Sequence, residues 1–460
     1  MAMFPLKLCT VWFQRYGIII ALFAALTFLL VFTFNSNNDS NNPSQERKNI
    51  RQVSGFQGAS KLKDDVKSIL VPKIPSESEL RQRWISEKVN RLSKRVKNSN
   101  LAKLAYVRPS TNPNYNVHIF YYPWYGNLDH DGEWLHWNHE YLPNWKKEDF
   151  KVYPTGRHKP PEDIGSNFYP ALGCYSSRDP NIIDKHLQQI RDVGIGVLVV
   201  SWYPPNEKDT SDDFFMVLLD AAAKHRLHVA PHMEPYQGRN AINQLTHLRY
   251  FLNKYGNHSA LHRMTMRGKQ LPVFYIYDSY RIDSSAWREL FSTNGQLSVR
   301  DTKYDGVFFG LLVDSQHCSE IKKSHFDGFY TYFASNGFSY GSSWKNWQFL
   351  GKYADQNRLL FVPSIGPGYV DTTVRPWNAA STRHRRHGHY YEVAWRAALN
   401  TQPRPALVTI TSFNEWHEGT QIEPAQPRST PGFTYLDYEP EGPDFYLNLT
   451  NYWIRQFTDH

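Results

Sequence analysis

The chain has 460 residues, long for one ordinary domain but within reach of a single barrel with extended loops. With 41% hydrophobic, 21% charged and 15% aromatic residues it can bury a core, which excludes disorder, a collagen-like repeat or a disulfide scaffold as a description of the whole. The net charge of +9 sits near the N-terminus: residues 1–34 carry +2, 35–107 carry +8 and 108–460 carry −1, so the large folded part offers no basic face and no nucleic acid is expected as a partner.

Residues 17–34 (GIIIALFAALTFLLVFTF) are 18 uncharged and almost wholly apolar residues, enough to cross roughly 27 Å of hydrocarbon as a helix. The rival reading, a cleaved signal peptide, lacks its small-residue cleavage site, because VFTFNS follows. The expected layout is a cytoplasmic head (1–16), a transmembrane signal anchor (17–34) and a lumenal stem (35–112) before a body at 113–460. The stem opens on NSNNDSNNPSQ and turns basic, as a solvated spacer does. The sequons at Asn38, Asn257 and Asn448 agree with a lumenal body. Cys174 and Cys318 are its only cysteines, and their pairing stays open.

Along the body, eight β-type runs stand out: 117–122, 195–202, 227–233, 271–277, 306–313, 328–333, 359–365 and 406–413. Several are continuously apolar, as strands buried on both faces are. Amphipathic segments lie between them, at 211–226 with Asp212 and Asp213 in the first turn, at 242–255 ending on Gly256, and at 390–400. Strands alternating with helices predict an α/β fold, a (β/α)8 TIM barrel with long βα loops. A doubly wound open sheet is the alternative, but no Gly-rich phosphate turn follows any run.

In such a barrel chemistry lies where strands end. The ends are rich in aromatic and polar residues, and the eighth run leads into SFNEWHEGT at 412–420. Glu415 and Glu418 are three apart, so on a helical turn they share one face and reach one bound group. Two carboxylates in different surroundings are what glycosidic cleavage requires, with aromatic rings for sugar faces and polar side chains for hydroxyls. Weaker signals are Asp129-x-Asp131, which could hold a metal–nucleotide sugar in a glycosyltransferase, and His136-x-x-His139, which has no third zinc ligand by spacing. The HRRHGH run at 384–389 reads as a solvated loop. A sugar-binding protein without turnover is the remaining class, but it has no use for an acid–base pair.

The segments HIFYYPWYGN, GRHKPPEDIGSNFYP, SWYPP, FDGFYTYFASNGF, PSIGPGYVDTTVRPWN and SFNEWHEGTQIE resemble the animal glycoprotein endo-α-1,2-mannosidases of glycoside hydrolase family 99, collinearly from about residue 117 to 446. The resemblance implies a Golgi membrane hydrolase, single-pass with a lumenal catalytic domain, that needs no metal or other cofactor. It implies cleavage inside the arm of high-mannose N-glycans, releasing Glc-α-1,3-Man and related saccharides. By motif, Glu415 is implied to be the base that activates the sugar's own 2-hydroxyl, and Glu418 the acid that protonates the departing oxygen. Tyr203, beside Trp202, is implied to meet the sugar beyond the reacting mannose, and Arg375 to bind a hydroxyl. Tyr122, Tyr125, His136, Tyr332, Asn336 and Asn414 complete the expected substrate-binding set.

Overall fold

The computed structural model describes residues 112–144, 153–205, 207 and 211–459. The expected head, the anchor at 17–34 and nearly all of the stem lie outside the described residues. Among the described residues no helix is long and apolar enough to cross a membrane.

The strands are β1 (Asn114–Tyr121), β2 (Ile195–Trp202), β3 (His228–Met233), β4 (Arg263–Met266), β5 (Lys269–Ile276), β6 (Val307–Leu311), β7 (Gly328–Tyr330), β8 (Leu360–Val362), β9 (Ser364–Ile365) and β10 (Val408–Ile410). Their order is β8-β7-β6-β5-β3-β2-β1-β10-β9, and every pair on this path is parallel. The path closes into a barrel because β8 and β9 are one stave interrupted at Pro363. Proline has no N–H for the ladder, so β8 pairs with β7 below it and β9 with β10 above it. The helices α1 (Pro180–Asp192), α2 (Ser211–Lys224), α3 (Ala241–Tyr255), α4 (Ser284–Phe291), α5 (His317–Lys323), α6 (Trp347–Gln356), α7 (His389–Leu399) and α8 (Phe445–Thr458) each follow one stave. This is the (β/α)8 connectivity that the alternation of runs predicts.

The sequence expectation misses β4. It forms an antiparallel hairpin with β5 through Arg267-Gly268, both in the left-handed region (φ 50° and 72°), the geometry of a two-residue hairpin loop. The predicted helices at 211–226, 242–255 and 390–400 correspond to α2, α3 and α7, within two residues at each end. Asn240 caps α3 reciprocally with Asn243. Cys174 and Cys318 are both free thiols.

Period-two alternation decides what fills the barrel. On β1, His118 and Phe120 point inward, as does Tyr122 just beyond the strand. His118 Nδ1 bonds the Tyr275 hydroxyl at 2.8 Å, Phe120 lies between the rings of His232 and Tyr330, and Tyr122 bonds the Tyr332 hydroxyl. Tyr121, one residue out of phase, points outward to His186 on α1. The interior is thus a column of aromatic and imidazole rings that ends at the C-terminal mouth.

The opposite end is closed by charge. Arg300, buried, bonds Asp305 before β6 and Asp327 before β7, each at 3.1 Å, and donates to the carbonyls of Phe291, Gly306 and His325. Removing one partner of such a buried network strands the others. Arg300→Met is expected to lower unfolding free energy by about 3–5 kcal/mol in urea melts, while the kcat of the folded fraction is unchanged, because this end of the barrel is remote from the mouth.

Candidate active site

The segment after β10 is fixed by main-chain pairing before any side chain is placed. The Phe413 N–H donates to the Phe120 carbonyl at 2.9 Å. The next residue continues the ladder with its side chain: Asn414 Oδ1 accepts from the Tyr122 N–H at 2.8 Å, and its Nδ2 donates to the Tyr122 carbonyl at 2.9 Å. Ser412 Oγ accepts from the Glu415 N–H at 2.8 Å, and the Ser412 N–H donates to the Thr420 carbonyl at 2.9 Å, closing a tight loop. Within it Trp416–Glu418 form a 3₁₀ turn capped by the Glu415 carboxylate, which accepts from the His417 N–H at 3.2 Å. Glu415 caps this turn from outside helical backbone (φ −80°, ψ 81°) and Glu418 is its last residue, so the two carboxylates sit at the two ends of one short turn.

Gly419 ends the turn in the left-handed region (φ 59°), and an added Cβ would lie 2.6 Å from Val370 Cγ1. That close approach lets the Val370 N–H donate to the Glu418 carbonyl at 2.8 Å and docks the 366–375 loop against the turn. The loop delivers Arg375, whose Nη1 is 3.8 Å from Glu418 Oε1 and 3.2 Å from the buried Asp371 Oδ2. The back of the turn rests on Glu423, fully buried, which accepts from Trp416 Nε1 (3.0 Å) and the Tyr175 hydroxyl (2.8 Å) and meets His186 at 3.1 Å.

Four carboxylates face this space, Glu234, Asp371, Glu415 and Glu418, with Arg375 opposing them. Burial, then the negative charge of Glu418, holds the Glu415 carboxyl well above the usual carboxylate range. Burial also lifts Glu418, to about 7, against the pull of Arg375, with Asp371 and Glu234 pushing the same way as burial. The surrounding phenols of Tyr122, Tyr277 and Tyr332 are pushed up chiefly by burial and stay neutral. The site therefore holds one carboxyl, Glu418, poised near neutrality beside a second, Glu415, of raised proton affinity, in a largely neutral, aromatic surround.

The expected residues divide by what they touch. Tyr122 and Tyr332 are buried beneath the carboxylates and joined hydroxyl to hydroxyl. Tyr125 and Asn414 are fully buried supports. The Tyr125 hydroxyl donates to the Asn414 carbonyl at 3.1 Å and accepts from the Trp416 N–H at 3.2 Å. His136 is part-exposed and stacks on Trp124 at 4.6 Å, with burial lowering its ring to about pKa 3 so that it is neutral. The Asn336 side chain serves its own loop, accepting from the Trp344 N–H at 3.1 Å. Tyr203 is half-buried, its N–H on Ser211 Oγ at the start of α2. Trp202 departs from the expectation. As the last residue of β2 it points outward from the barrel, is fully buried against Phe251, and gives its indole N–H to Asp212 at 3.0 Å, out of a glycan's reach.

Sequence reasoning missed Glu234, 3.2 Å from His232, and the Trp124, Tyr277, Tyr369, Asp371 and His417 side chains. Glu234 carried a signal, standing directly after a strand run. Asp371 lies inside a loop and carried none. His136 and His139 surround His417 (ring centroids 5.9 and 4.6 Å), but among the described residues no three His, Cys, Asp or Glu side chains converge as metal ligands. Asp131 of the D-x-D is spent locally, accepting from the Asn127 N–H at 2.8 Å.

Arg375 lowers the proton affinity of Glu418, so Arg375→Gln is expected to move the Glu418 titration up from about 7, by roughly one unit or more. Carboxyl ¹³C resonances of labelled protein, followed against pH, report the midpoint directly.

Residues 112–459 match Glycosyl hydrolase family 99. The chain is 51% identical over 350 residues to the glycoprotein endo-alpha-1,2-mannosidase of Mus musculus, covering 75% of each. It is 50% identical over 347 residues to the glycoprotein endo-alpha-1,2-mannosidase-like protein of Homo sapiens, covering 74% of this chain and 76% of that one. The GH99 endo-alpha-mannosidase of Bacteroides thetaiotaomicron superposes with a TM-score of 0.69 at 41% identity, covering 76% of this chain and 99% of that one. With its paired carboxylates at the mouth of a parallel barrel, the chain belongs to glycosyl hydrolase family 99 and is a glycoside hydrolase.

Proposed function

We propose that this protein is an endo-acting, retaining α-1,2-mannosidase that trims glucosylated high-mannose N-glycans. The names of its relatives support the bond class. The observation that carries the reading is the pair Glu415 and Glu418 on one 3₁₀ turn, both raised in proton affinity and opposed by one guanidinium. The apolar run at 17–34 and the sequons at Asn38, Asn257 and Asn448 support a type II membrane protein with this domain in the Golgi lumen.

The chemistry follows from the stereochemistry of the substrate. In an α-mannoside O1 and O2 are axial and trans on adjacent carbons. Glu415 takes the proton of the 2-hydroxyl, O2 attacks C1, and the C1–O1 bond breaks as Glu418 gives its proton to the leaving oxygen. The product of this step is a 1,2-anhydro sugar. Glu418, now a carboxylate, takes a proton from water, whose oxygen opens the anhydro ring at C1, and Glu415 returns the proton to O2. Two inversions give retention, and the two groups exchange roles as microscopic reversibility requires.

The roles demand a particular proton placement. In the empty site Arg375 favours ionised Glu418, and burial beside it favours protonated Glu415. The reading requires the proton on Glu418 when glycan is bound. A 2-hydroxyl donating to Glu415 and a glycosidic oxygen accepting from Glu418 draw it there, since each partner stabilises one ionisation state. The pair thus titrates as a unit.

Glu415→Gln and Glu418→Gln are each expected to lose about 10²–10⁴-fold in kcat on a natural glycan, read as released oligosaccharide by mass spectrometry. They diverge on a mannosyl fluoride, whose leaving group needs no proton. There Glu418→Gln still releases fluoride, Glu415→Gln does not, and a 2-deoxy sugar is inert with the unaltered enzyme. A glycosyl ester trapped on Glu415 would replace the anhydro route with a conventional nucleophile, and absence of any released saccharide would leave a binding protein.

A further inference from the structure

Arg375 stands between two carboxylates, and the second one is not explained by the reaction. Asp371 lies in the 366–375 loop, fully buried, four residues before Arg375. Its Oδ2 collects three donors: the Tyr369 hydroxyl at 2.9 Å, Asn378 Nδ2 at 2.9 Å and Arg375 Nη1 at 3.2 Å. Its main-chain carbonyl accepts from the N–H groups of Val374 (2.9 Å) and Arg375 (2.6 Å), so the loop folds back on it. Oδ1 has no hydrogen-bond partner among the described residues. A buried carboxylate with one bare oxygen is costly to keep unless its charge has a use.

We propose that Asp371 is a positioning residue for the acid step: it anchors Arg375 and draws the guanidinium's charge away from Glu418, so that Glu418 can hold the proton it delivers to the leaving oxygen. This rests on the α-mannosidase reading above. The geometry supplies the competition, because Nη1 is nearer to Asp371 (3.2 Å) than to Glu418 (3.8 Å). A guanidinium facing a carboxylate alone lowers its pKa by about 1–3 units, which would leave Glu418 ionised at neutrality and useless as an acid. Arg375 cannot simply be dispensed with, since four carboxylates converge on this mouth. Asp371 divides its charge.

The other groups facing Glu418 do not supply this. Glu415, on the same turn, is the partner base. Glu234 after β3 raises Glu418 but lies against His232. Tyr122 after β1, Tyr277 after β5, Tyr332 after β7 and Tyr369 beside Asp371 are neutral phenols. Asp371 alone of these contacts both the cation and its loop.

The test is the pH dependence of kcat/KM on a glycan, whose basic limb reports the free enzyme's acid. Asp371→Asn gives Arg375 wholly to Glu418, so the limb moves to lower pH by about half a unit or more, roughly a threefold loss one unit above the original midpoint. Tyr369→Phe removes one donor from Asp371, leaves more of its charge for Arg375 and moves the limb the other way. Asp371→Glu keeps the charge and restores the limb. On a mannosyl fluoride, where no acid is needed, the shifts vanish. A limb that stays put in Asp371→Asn and Tyr369→Phe, or a uniform loss at all pH values, assigns Asp371 a merely structural role and overturns the proposal. Should Asp371→Asn fail to fold by thermal melting, the opposite shift in Tyr369→Phe decides. If the unaltered enzyme cleaves no α-1,2-mannoside, the activity reading fails by itself, and the ¹³C titration of Glu418 in the same variants still decides what Asp371 does.

Discussion

The structure turns on one amide. The side chain of Asn414 pairs with both the N–H and the carbonyl of Tyr122, as a further strand residue would. Beyond β10 the backbone must leave the ladder to form the turn at 415–418, and leaving would orphan the two main-chain groups of Tyr122 in a buried site. An unpaired buried donor or acceptor costs about 1–3 kcal/mol. Asn414 meets both needs, because its carboxamide is a peptide group on a short stem. The backbone is thereby freed to turn at 415–418 while the first and last staves stay sealed.

That turn is then squeezed from two sides. Glu423 holds it from behind through Trp416 and Tyr175, and Val370 holds it from the side at Gly419. Neither contact is chemical in the reaction, yet each sets an angle or a distance between Glu418 and Arg375. Like charges within about 4 Å repel by roughly 4 kcal/mol at an effective dielectric of 20. Packing several carboxylates here therefore requires either protons or a shared cation, and the mouth uses both. The elevated proton affinities of Glu415 and Glu418 come first from burial, and this crowding adds to it.

The barrel was legible because buried parallel strands are continuous apolar runs and the intervening helices keep their own period. All eight staves coincide with runs read from sequence, though 406–413 shrank to Val408–Ile410, beyond which Phe413 and Asn414 take over the pairing with Phe120 and Tyr122. The two glutamates were legible because three-residue spacing after a strand has a geometric meaning. Trp202 misled because SWYPP places it at a strand end, and adjacency in sequence does not tell which of two neighbours faces in. Period two answers that: if Ser201 points inward, Trp202 cannot. Asp371 was not legible at all, since its place depends on a contact between two loops far apart in sequence, which meet at the Val370–Glu418 hydrogen bond and the Arg375–Glu418 pair.

The shape of the turn and the shape of the substrate suit one another. Carboxylates that act as nucleophile and acid flank the scissile glycosidic bond. Glu415 and Glu418 arise from one short turn. O1 and O2 of an α-mannoside leave neighbouring carbons along a single edge, one above the ring and one below. Two side chains at the two ends of one short turn can address one oxygen each. A pair built this way handles two oxygens on adjacent carbons more naturally than two faces of one carbon. Placing both groups on three consecutive peptide units is thus compatible with the proposed route, in which the sugar would supply its own nucleophile.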